Sequence, residues 1–134
     1  MCWRELDRNE WLLVPGMAAA VHVPLPDLGA PDAPGMFALA DRDRVAGLLA
    51  EAGFEDVTVE AAGPPLVIGG GGTVDEAVTF LREGAIGQAL LADADPDAAA
   101  RAVDAVREAL APYATPRGVE LGSAVWIARG VRRR

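Results

Sequence analysis

Lysine is absent from the chain, asparagine occurs once, at Asn9, and cysteine once, at Cys2. A lone cysteine excludes an internal disulfide framework and a cysteine-based metal site. All 12 basic residues are therefore arginine, and alanine, glycine and proline are abundant, a pattern we attribute to the coding bias of a high-GC genome and not to function. No apolar stretch approaches the roughly 20 residues that a membrane-spanning helix requires. A basic region leading into an apolar one is also missing from Met1-Cys2-Trp3-Arg4-Glu5-Leu6-Asp7-Arg8, so no secretory signal is expected and a cytoplasmic location fits best.

Positive charge is scarce. The balance of 12 basic against 20 acidic residues gives a net charge of −8, which disfavours electrostatic binding to nucleic acid or to an anionic membrane. The run Arg132-Arg133-Arg134 reads as a solvated tail and does not reverse this. What is present suffices for a core: 134 residues, 51% of them hydrophobic, make about one folded domain.

Along the chain, Met1 to Arg4 reads as the remnant of a strand, and Trp11 to Val23 as a short apolar helix interrupted by Pro15 and Gly16. Pro24, Pro26, Pro31 and Pro34 then make a connecting loop, since neither helix nor central strand tolerates them. Asp41 is a helix cap ahead of Val45, Leu48 and Leu49 on one face, and Gly53 ends that helix. Val57 and Val59 alternate with polar neighbours as in a half-buried strand, Gly63-Pro64-Pro65 breaks it, and Leu66 to Ile68 resumes an extended segment. Thr73 and Glu76 form a capping box before Val74, Ala77, Val78 and Leu81. Ala85 to Ala92 is a further short helix. Asp95-Pro96 starts a long one to Ala111, with Ala99, Ala102, Val103, Val106 and Leu110 inward. Val119 to Ala128 reads as one strand, whose apolar centre Ala124-Val125-Trp126-Ile127 implies cover on both faces, the habit of an α/β sheet.

The wording of these elements carries a resemblance. Phe37-Ala38-Leu39-Ala40-Asp41, Arg44-Val45 and Leu48-Leu49-Ala50-Glu51-Ala52-Gly53-Phe54-Glu55-Asp56-Val57 resemble the helix and strand that follow the fifth strand in class I S-adenosylmethionine-dependent methyltransferases of small molecules. Cys2-Trp3-Arg4, with Asn9 and Trp11, is similar to the end of that fifth strand and the cap segment after it. Leu110-Ala111-Pro112-Tyr113 and Gly118-Val119 through Trp126 are similar to the last helix and last strand. The likeness spans essentially the whole chain.

The resemblance implies the carboxyl-terminal half of such an enzyme: a partial Rossmann-like fold, α/β in the parent and α+β as an isolated fragment. About three strands (the stub of strand 5, and strands 6 and 7) and four to five helices are expected in a single partial domain. In it, residues 1–36 supply strand stub, cap helix and Pro-rich loop, and residues 37–134 the later helices and strands. The parent order inserts the last strand antiparallel between the fifth and sixth, so Met1–Arg4, Val119–Ala128 and Glu55–Ala61 should form one three-stranded remnant. The glycine-rich turn and the acidic residue that hold the methyl donor in that family lie nowhere in this sequence. S-adenosylmethionine is thus the parent's cofactor, and tight binding to this chain alone is not expected. A valine codon read as an initiator, a true truncation, and a half that pairs with a separately encoded cofactor domain would each give this amino terminus.

An orphaned border should favour a homodimer or a complementing cofactor-binding half. The expected ligand is a small-molecule acceptor, and Trp3, Trp11, Met17 and His22 are the candidate acceptor-binding residues, each weighed against a packing role. No catalytic residue is assigned, because methyl transfer from a sulfonium needs little beyond positioning. Gly69 to Gly72 reads as a flexible connector or, as the minor reading, an anion cradle. Asp93, Asp95 and Asp97 fit helix capping and lack the spacing of a calcium loop. A non-enzymatic binding or interaction module derived from the same fold is the alternative function.

Overall fold

The computed structural model describes residues 1–27, 30 and 33–134. In chain order the elements are β1 (Cys2–Trp3), α1 (Glu10–Ala20), α2 (Arg42–Glu51), β2 (Phe54–Ala62), β3 (Pro65–Val67) and α3 (Val74–Glu83). There follow α4 (Ala85–Leu91), α5 (Pro96–Leu110), β4 (Ala114–Thr115), β5 (Gly118–Gly122) and β6 (Val125–Arg132). Of the proline loop, Pro31 lies outside the described residues. All strand pairs among the described residues are antiparallel, which makes a mixed helix and sheet arrangement of the α+β kind. Two compact units result, one of Met1–Asn9, Leu28–Pro64 and Ser123–Arg134, the other of Glu10–Asp27 and Pro65–Gly122.

In the first unit β6 lies between β1 and β2, with Cys2 opposite Trp126 and Val59 opposite Ala128. Asp41 caps α2 by accepting from the Asp43 and Arg44 amides at 2.8 and 3.1 Å. That helix lays Val45 and Leu49 over Val59 and Trp126, and Cys2 and Ala128 complete the cluster. Leu48 departs from the expected stripe and is 46% exposed, because Ala46 takes its place beside Val45 and Leu49. The Trp126 indole donates to the Ala40 carbonyl at 2.7 Å, which satisfies its buried N–H.

The second unit holds a short sheet in the order β3-β5-β4 and a core of Ile68, Ala77, Val78, Leu110, Val119 and Leu121. Its helices start as their sequences dictate. Thr73 and Glu76 close a reciprocal capping box at 3.2 and 2.9 Å, and the Asp95 carboxylate accepts from the Ala98 amide at 3.2 Å ahead of Pro96. Ala19, Val23 and Ala102 form a further cluster where α1 packs on α5.

Three expectations need correction. Instead of about three strands, the described residues form six, in two three-stranded sheets. The single strand from Val119 to Ala128 is two, because Ser123 Oγ turns to the Pro64 carbonyl and the Ala124 amide goes to the Asn9 side chain instead of to a continuing ladder. Val119 and Leu121 therefore belong to the second unit and Val125 and Trp126 to the first. The helix at Trp11 is not interrupted: α1 runs through Pro15, which is buried, so burial of its apolar ring offsets the one helical hydrogen bond proline cannot make.

Candidate functional site

The four residues expected to touch an acceptor fall in different places. Trp3 lies half-buried in β1 of the first unit, opposite Val125. Trp11, Met17 and His22 belong to the second unit, on α1 or just after it. Trp11 packs with Val14 against the core around Ile68 and Leu110. Met17 follows six residues later, about 120° around the helix, and is 64% exposed, so it does not share Trp11's face. His22 is half-buried in the turn that ends α1, where its amide donates to the Ala19 carbonyl at 3.0 Å. Val21 and Leu25, in the segment after α1, are exposed apolar residues as well.

The glycine run is the one segment whose composition invites a nucleotide, and its geometry answers the question. Gly69, Gly70, Gly71 and Gly72 all have φ between 66° and 134°, in the region that favours glycine. A Cβ on Gly118 would stand 2.8 Å from the Gly71 Cα, so the run and β5 touch backbone to backbone. The Glu76 carboxylate occupies the helix start, accepting from the Thr73 amide at 2.9 Å. The Glu76 carboxylate thus sets a fixed negative charge at the start of α3, where an anion would otherwise be drawn.

Several charged groups elsewhere are paired on the surface or stacked. The Arg4 guanidinium sits 4.3 Å from the Trp126 ring centroid, with its Nε buried and the Glu5 carboxylate at 3.6 Å, an ion-pair distance too long for a hydrogen bond. Arg107 spans Asp75 and Asp104, each at 2.6 Å, and these hydrogen bonds push its already high pKa further up. Burial pushes the Cys2 thiol above its ordinary value, against a weaker opposing pull from the positive amino terminus. Among the described residues no three His, Cys, Asp or Glu side chains gather as a group that could hold a metal ion. None of the helices in the described residues is long and apolar enough to cross a membrane.

No protein-family model matches the chain, and no curated protein matches it either.

Proposed function

We propose that this chain is the carboxyl-terminal part of a class I S-adenosylmethionine-dependent methyltransferase acting on a small molecule. It supplies the substrate-cap region and the late strands of a Rossmann-like sheet. The observation that carries the reading is the order β1-β6-β2, in which the closing strand runs antiparallel between the first strand and the one after α2. That is the arrangement the local wording of the sequence implies for the fifth, seventh and sixth strands of such an enzyme. Of the four residues expected to meet the acceptor, Met17 and His22, on α1 and in the turn that ends it, are the ones proposed to do so. The methyl donor would be held by strands this sequence does not contain, and the chain alone would be inactive.

Titration calorimetry with S-adenosylmethionine tests the reading on this chain and on the same chain preceded by the coding sequence in frame before it. The shorter chain should give no binding heat and the longer one should bind. Appreciable affinity of the 134-residue chain, or none in either, overturns the proposal.

A further inference from the structure

We draw no further inference here: the strongest candidate, the exposed apolar surface at Met17 on α1 and at Val21 and Leu25 in the segment after it, carries nothing, because nothing in the structure shows what covers it.

Discussion

Asn9 and Ala124 are joined by a reciprocal amide pair: the Ala124 N–H donates to Asn9 Oδ1 at 2.8 Å, and Asn9 Nδ2 donates to the Ala124 carbonyl at 3.2 Å. The side chain thereby does for Ala124 what a strand backbone would do. Nδ2 also reaches the Arg4 and Glu5 carbonyls at 3.3 and 3.0 Å, and Asn9 is fully buried. The chain's one asparagine thus ties the segment after β1 to the residue before β6 and fixes where that strand begins.

Asn9→Ala should cost about 3 kcal/mol or more, because truncation leaves the Ala124 amide and the Arg4 and Glu5 carbonyls short of partners in or near the interior. Urea denaturation measures it. A loss below about 1 kcal/mol would show that water replaces the amide without penalty.

Gly118 and Gly70 make a matched pair of tests. Both have positive φ, 130° and 79°, but a Cβ on Gly118 would meet the Gly71 Cα at 2.8 Å and a Val67 methyl at 2.9 Å, while Gly70 has open space. Gly70→Ala should cost about 1 kcal/mol, from backbone strain alone. Gly118→Ala should cost about 3 kcal/mol, since backbone must also move. Equal losses in denaturant melts would mean that the glycine run does not press on β5.

The cap of α3 gives a third test. Thr73→Ala removes the acceptor for the Glu76 amide and should cost about 1 kcal/mol, whereas Thr73→Ser keeps the oxygen and should melt close to the parent. Equal melting temperatures for the two variants would show the hydroxyl to be idle.

These tests also mark what could be read from the sequence. Helix starts were legible because their signals are local: Asp41, Thr73 with Glu76, and Asp95 with Pro96 each act within three residues. The antiparallel order of β1, β6 and β2 was legible through resemblance. The division of Val119 to Ala128 between two sheets was not, because the group that takes the Ala124 amide lies 115 residues away, on Asn9. β4 is only two residues long, too short for any period to show. Leu48 and Leu49 are adjacent and both apolar, so spacing could not say which would face Val59. Of the candidate site, the residues were nameable, but the exposure of Met17 and the core packing of Trp11 depend on which face of α1 its unit buries.

Cys2 supplies a pH-dependent prediction. Its thiol donates to the Leu39 carbonyl at 3.5 Å and packs beside Val45, Val59 and Trp126, and burial raises its pKa. The fold thus favours the neutral thiol. Its contribution to stability is complete at neutral pH and is lost as pH rises from the unfolded thiol's pKa through the higher folded one. Stability of the parent relative to Cys2→Ala, measured in urea at pH steps from about 7 to 10, should therefore fall across the alkaline end. Iodoacetamide should likewise react more slowly with the folded chain than with the urea-unfolded chain at the same pH, since the thiolate is the nucleophile. A stability difference that stays flat or rises with pH, or faster labelling of the folded form, would place Cys2 in a thiolate-stabilising environment that the apolar packing around it does not provide.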